Sequence, residues 1–297
     1  MAPSLIEEAV QSNRPPSMYT FNSSQDLRSP SSASSSGVLT PSQADGEWTP
    51  NTVLSTLSEQ PQIHSTSPLP FFHLLERLKT TKREGWRRFG INHGESISDH
   101  MYRMSIITLL CPPSISSKLD IPRCTKMALI HDMAESLVGD ITPVDGVTKA
   151  EKSRRESETM EYLCQGLLGN VDGGSQGEEI RRVWREYEDG ETEESKFVHD
   201  VDKIELLLQM LEYERSHQGR IELGEFSHVA KRIVLPEVQA WATELLSERE
   251  KFWAGHGKQS PGVLDVSEDR RRQQDAYYAG AQGHANGTAG ANGSGGS

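Results

Sequence analysis

Cysteine is scarce in this 297-residue chain: Cys111, Cys124 and Cys164 are the only three, and no two share a short spacing. That excludes a disulfide framework and fits a reducing, intracellular setting, cytoplasmic with the nucleus left open. Long apolar runs are missing too. No stretch of about 18 apolar residues exists, so no membrane span is expected. Nothing at the N-terminus resembles a signal peptide. Positive charge is in deficit, with 31 Lys and Arg against 43 Asp and Glu and a net charge of −12. Nucleic-acid polymers are held by clustered cations, so a general nucleic-acid binder is excluded. A small phosphate is not excluded, because one Arg or a metal ion can hold it. There is also no Gly-rich Lys-Ser/Thr loop of the kind that cradles nucleoside triphosphates.

Large apolar side chains are thin at both ends. Residues 1–67 are crowded with Ser, Pro, Thr and Gln, including Ser29-Pro30-Ser31-Ser32-Ala33-Ser34-Ser35-Ser36. Such a segment cannot offset its chain entropy by burial and reads as a disordered extension. Residues 256–297 end in a Gly/Ala/Asn-rich run and read as a disordered tail. Residues 68–255 remain, a size suited to one core.

That middle region carries helical periodicity and almost no strand signal, which predicts an all-α helical bundle. Phe71, Phe72, Leu75 and Leu78 form the stripe of a first helix, Pro68 to Lys79. Ser98 is the expected N-cap of a second, with Met101, Met104, Ile107 and Leu110 as its apolar set and Pro112-Pro113 as its stop. Asp120 caps a third, expected to run to Gly139. Thr148 to Glu151 has capping-box spacing and opens a charged helix through Leu168. Two more follow at about 178–188 and 193–216, the latter striped by Phe197, Val201, Ile204, Leu208 and Leu211. The last spans Pro236 to about Trp253, with Val238, Leu245 and Leu246 as a candidate face for a second copy.

Chemistry concentrates around His131-Asp132, beside the apolar stripe of the third helix. Glu135 follows one turn later and Asp140 just after Gly139. Four ionisable groups in ten residues next to a core are costly unless something compensates them, and a divalent cation would. His100 and Asp202 lie beside the stripes of two other helices, with His199 and Asp200 as nearby competitors of Asp202. Two imidazoles and two carboxylates from three helices suit Mn, Co, Fe, Ni or Zn and leave positions for water and substrate. The order His … His-Asp … Asp is the HD-superfamily pattern.

Longer segments carry a closer resemblance. Glu95-Ser96-Ile97-Ser98-Asp99-His100-Met101-Tyr102-Arg103-Met104 is one, and Ala128 to Glu135 followed by Gly139-Asp140-Ile141 is another. Lys149 to Glu156 and Phe197 to Asp202 add to it. Together they resemble the HD-domain 5′-deoxynucleotidase family, in the eukaryotic branch called HD domain-containing protein 2, over about 71–250. The resemblance implies a homodimeric, metal-dependent phosphohydrolase acting on 2′-deoxynucleoside 5′-monophosphates. It implies that His100, His131, Asp132 and Asp202 bind the metal ion (Mn, Co or Mg), and that Glu135 and Asp140 serve catalysis. It further implies that Glu135, Asp140 and the carbonyl of Ile141 can hold a second ion such as Mg. Arg83 and Trp86 match the family's phosphate and sugar contacts. Apart from the resemblance the favoured readings are a surface cation and a core aromatic, because Lys79, Lys82, Arg87 and Arg88 are equally good phosphate ligands.

Two other functions stay open at this point. One is an HD phosphodiesterase or nucleotide pyrophosphohydrolase on the same ligands. The other is a non-catalytic HD scaffold with a docking arm at Ser29-Pro30, Thr40-Pro41, Thr49-Pro50 and Ser67-Pro68.

Overall fold

The computed structural model describes residues 47–258. Among them the only strand-like feature is one isolated antiparallel bridge, Lys82 to Ser96. Eleven α-helices account for most of these residues: α1 Pro50–Leu54, α2 Leu69–Thr80, α3 Glu84–Arg87, α4 Ile97–Leu109, α5 Pro113–Ser116, α6 Ile121–Ala128, α7 Glu135–Val138, α8 Lys149–Glu161, α9 Ser175–Asp189, α10 Glu193–Ser216 and α11 Pro236–Gly255. The all-α expectation holds.

The longest helix, α10, forms the axis of the bundle and packs on α4, α6, α9 and α11. Phe197, Val198, Val201, Ile204, Leu207, Met210 and Leu211 are all buried along it. Its apolar surface is therefore wider than the single expected stripe, and Leu207, not Leu208, takes the inner position. Glu214, near the C-terminal end of α10, ties α11 to the bundle. It accepts from Arg249 Nε at 2.8 Å and from Trp253 Nε1 at 2.9 Å. Val238 and Leu245 of α11 are spent in this core. They are not a free face for a second copy, which corrects the sequence reading.

Helix α4 begins two residues earlier than the Ser98 cap predicts. Ser96 Oγ accepts from Asp99 N at 3.2 Å, and Asp99 Oδ2 accepts from Ser96 N at 2.8 Å. This reciprocal box satisfies two end donors that Ser98 would have left open. It also starts the helix where Ile97 can be fully buried. Asp120 caps α6 as expected, accepting from Arg123 N at 3.0 Å.

The third predicted helix does not run unbroken to Gly139. After Ala128 the chain tightens into successive turns, with Ile130 N to Met127 O at 3.0 Å, Met133 N to Ile130 O at 2.9 Å and Glu135 N to Asp132 O at 3.0 Å. His131 Nδ1 lies 3.0 Å from Ala128 O, a local side-chain bond that competes with the helical ladder. Helix α8 continues through a π-helical stretch, Tyr162–Leu167, matching its expected length.

Residues 47–67 correct the assignment of the whole Ser/Pro-rich extension to disorder. Trp48 and Leu54 are buried, and α1 packs against α7 and α8. Arg154 Nη2 donates to the Trp48 carbonyl at 2.8 Å, and the Arg155 guanidinium stacks 5.4 Å from the Trp48 ring. Composition misleads here because one indole does the anchoring that many apolar residues usually share. The remainder of that extension, residues 1–46, and residues 259–297 of the C-terminal tail lie outside the described residues.

Candidate metal centre

Three helical elements deliver side chains to one point. His100 comes from the first turn of α4, His131 and Asp132 from the turns after α6, and Asp202 from α10. His100 Nε2 lies 3.2 Å from Asp202 Oδ1 and 3.8 Å from Asp132 Oδ2, and His131 Nε2 lies 3.1 Å from Asp132 Oδ2. Ligand atoms of His100, His131 and Asp132 all fall within 4.8 Å of one another. His199 and Asp200 take other roles. His199 Nε2 lies 2.9 Å from the Tyr187 carbonyl. Asp200 accepts from Val234 N at 2.9 Å and Leu235 N at 2.8 Å, pinning the segment that leads into α11.

Both imidazoles are held from behind. His100 Nδ1 lies 2.5 Å from Glu205 Oε2, and His131 Nδ1 meets Ala128 O. Each Nε2 is thereby turned inward as a potential ligand atom. His100 Nε2 is buried and makes no directed hydrogen bond, although Asp202 is near. An unsatisfied imidazole nitrogen among carboxylates is costly without a ligand. The two-nitrogen, two-carboxylate set therefore fits a divalent cation.

The electrostatics mark a centre that draws positive charge, as a proton on His100 or as an ion in its place. Burial and Arg83 work against a charged His100, but Glu205 and Asp202 overcome them and push its pKa up to about 10. Burial opposes ionisation of Asp132, yet His131, Arg83 and His100 hold its carboxyl well below the usual range. Asp202 is likewise depressed against burial, by His100 first and then His131 and Arg83. The surroundings thus favour the ionised form of both carboxylates, the form that a cation requires.

A cavity of about 360 Å³ opens over this centre, with Arg83, Asp132, Glu135, Asp140, Lys152 and Asp202 in its wall. Arg83 bridges two of the acids, its Nη1 lying 3.3 Å from Asp132 Oδ2 and 3.5 Å from Asp140 Oδ1. Asp140 Oδ2 also accepts from the backbone N of Glu84 at 2.6 Å, so it fixes the Arg83 loop. Glu135 is buried behind Asp132. Burial, then Asp132 and Asp140, raise its pKa well above the usual value, with Lys152 opposing.

Of the atoms expected to hold a second ion, most are already engaged. Ile141 O and Glu135 Oε1 face Lys152 Nζ at 3.2 Å and 3.4 Å, and Asp140 faces Arg83 and Glu84. This second set does not fit an ion unless those groups move.

Trp86 lines the cavity but is only 1% exposed. Its Nε1 donates to Glu95 Oε1 at 2.8 Å, and its ring packs 4.6 Å from Phe226 and 5.3 Å from Tyr213. It supports the wall and offers little surface to a sugar. Arg87 and Arg88, rivals of Arg83, pair instead with Glu84 at 2.9 Å and Glu225 at 3.1 Å.

Three groups near the centre escaped the sequence reading. Glu205 stands one turn after Asp202 on α10, a spacing that puts both on one face, but it sits inside an apolar stripe and reads as interruption. Arg103, whose Nε donates to Glu205 Oε1 at 2.8 Å, was visible only as part of a motif. Lys152 lies in a charged helix where no spacing distinguishes it from its neighbours.

An all-helical bundle that gathers His, His-Asp and Asp from three elements around a cation site is an HD-type metal domain. Residues 75–241 match the HD domain family. The 5′-deoxynucleotidase hdd1 of Schizosaccharomyces pombe is 50% identical over 191 residues, covering 64% of this chain and 94% of that protein. The 5′-deoxynucleotidase YGK1 of Saccharomyces cerevisiae is 41% identical over 204 residues, 69% of this chain and 92% of the relative. The solved structure of HD domain-containing protein YGK1 aligns with a TM-score of 0.51 at 33% identity, covering 70% of this chain and all of that one. The chain belongs to the HD-domain 5′-deoxynucleotidase family.

Proposed function

We propose that the chain hydrolyses 2′-deoxynucleoside 5′-monophosphates to deoxynucleoside and phosphate, with a divalent cation (Mn, Co or Mg) held by His100, His131, Asp132 and Asp202. The observation that carries this reading is the buried Nε2 of His100, without a directed hydrogen bond and set 3.2 Å and 3.8 Å from carboxylate oxygens of Asp202 and Asp132. The relatives' names supply the substrate class.

When bound, the ion supplies Lewis acidity that polarises the phosphoryl group and acidifies water. The protein's own groups do the rest. Arg83 presents a planar fork at the cavity wall and binds phosphate oxygens, giving up part of its hold on Asp132 and Asp140. Glu135, with a raised proton affinity, would take the proton of the attacking water and pass it to O5′ as the P–O5′ bond breaks, so that the deoxynucleoside leaves as the alcohol. Asp140 positions the Arg83 loop through the Glu84 amide. Trp86 supports the wall from behind, packed against Phe226. A cavity of about 360 Å³ is of the size that takes a small ligand.

Phosphate release from dAMP and AMP, with a cyclic nucleotide and a triphosphate in parallel, tests the assignment. Deoxy-selective release supports it. Turnover of only the diester or the triphosphate transfers the same centre to a phosphodiesterase or pyrophosphohydrolase. Metal binding without turnover of any of the four leaves a non-catalytic HD scaffold.

No helix among the described residues is long and apolar enough to cross a membrane. A cytoplasmic site of action is part of the proposal, as is a homodimer. The exposed stripe on α4, Tyr102, Ile106, Leu109 and Leu110, is the apolar surface that supports self-association. Leu110→Glu should turn a dimer into a monomer in light scattering, and a dimer that survives it places the contact elsewhere.

A further inference from the structure

Lys152 is held among three oxygens at the floor of the cavity. Its ammonium lies 3.4 Å from Glu135 Oε1, 3.2 Å from the Ile141 carbonyl oxygen and 3.4 Å from Glu156 Oε1. Glu135 is 1% exposed, and its other oxygen, Oε2, is buried with no hydrogen-bond partner. A buried carboxylate oxygen without a donor marks a place for something positive or protic. Gly139, at φ +78°, turns the chain directly after α7, and Ile141 then lies within reach of the same ammonium as Glu135.

An all-oxygen set of this kind suits a hard divalent cation, whose ligands approach to about 2.1 Å. An ammonium holds the same oxygens at longer, hydrogen-bonding distance. The two cations cannot share Ile141 O and Glu135 Oε1 without lying a few ångströms apart in a cavity partly shielded from water, where their repulsion is strong. The ammonium is tethered by its own helix, so its local concentration is high and it pays no association entropy.

We propose that the Lys152 ammonium and a second divalent cation are alternative occupants of one oxygen set, so that Lys152 determines how tightly the second ion binds. The inference rests on the HD metal reading of the first site. In the absence of a second ion Lys152 holds Glu135 Oε1 and the Ile141 carbonyl in place. A second ion enters only as Lys152 swings away from Glu135 and Ile141, towards Glu156 or the cavity mouth.

Ion counting separates the two sites without any assay of turnover. The full chain, stripped and titrated with Mn²⁺, is followed by the electron paramagnetic resonance of free Mn²⁺, in the wild type, Lys152→Met, Lys152→Gln and Lys152→Arg. One tight ion is expected in all four. A second ion should bind about tenfold or more tightly in Lys152→Met and Lys152→Gln than in the wild type, and Lys152→Arg should stay near the wild type. The proposal is overturned if the neutral variants, still holding the first ion, bind the second no more tightly than the wild type. Should Lys152→Met fail to fold, Lys152→Gln decides. A wild type that binds no tight ion overturns the metal reading and this inference together.

Discussion

His100 Nδ1 lies 2.5 Å from Glu205 Oε2, and Glu205 follows Asp202 by one turn of α10. One helix thus supplies both a candidate ligand and the carboxylate that aims another ligand at it. Arg103 holds the far oxygen of Glu205 at 2.7 Å from Nη2, so the carboxylate cannot rotate away from His100.

Removing that support should weaken the site without touching a ligand. Glu205→Gln leaves His100 with a weaker, uncharged partner, and metal affinity is expected to fall about 10- to 100-fold. Calorimetric titration with Mn²⁺ checks this. Unchanged affinity would mean that His100 is aimed by packing alone.

Arg83 stands between Asp132 and Asp140, and in the proposed function its charge also serves the phosphate. Arg83→Lys keeps a charge but loses the fork, so kcat/KM for dAMP should fall by about 10- to 100-fold, with metal content retained. A lysine variant with full kcat/KM would move phosphate recognition to Lys149 or Lys152, which line the same cavity.

Trp48 should matter to stability far more than its sequence surroundings suggest. Trp48→Ala removes a buried indole and its stacking on Arg155, at a cost of about 3 kcal/mol. Chemical denaturation of the full chain measures the loss. A cost under about 1 kcal/mol would show that 47–67 adds little to the bundle.

Glu95 gives a pH signature. Burial, then the nearby Glu205, push its pKa up to about 7, against His100, Arg83 and the Trp86 hydrogen bond. The folded state thus holds a proton there that the unfolded state releases at lower pH. The associated stability is fully present below about 4.5 and is lost as pH rises through about 7. Glu95→Gln keeps an acceptor for Trp86 without the charge. In chelator, its melting temperature should gain on the wild type between pH 5 and pH 8, and a constant gap would contradict the account.

The sequence made the candidate ligands legible because each lies beside an apolar stripe, and the stripes converge wherever helices pack. The helix starts were readable where capping residues are unambiguous, as at Asp120. At α4 two serines compete, and the choice of Ser96 depends on Asp99 turning back to its amide. The break after Ala128 was hidden, because a run of i→i+3 turns and an α-helix share nearly the same apolar spacing. Glu205, Lys152 and the docking of Trp48 depend on partners 17 to 106 residues away, at His100, Glu135 and Arg154, and no local pattern reports those.

Metal content and phosphate release, measured together on the full wild-type chain and on Asp132→Ala, test the central claim most directly. The account predicts one tightly bound divalent ion and phosphate release from dAMP well above that from AMP in the wild type, and loss of both in the variant. Undiminished phosphate release by a folded Asp132→Ala would contradict it, as would a wild type that carries its ion and leaves dAMP intact.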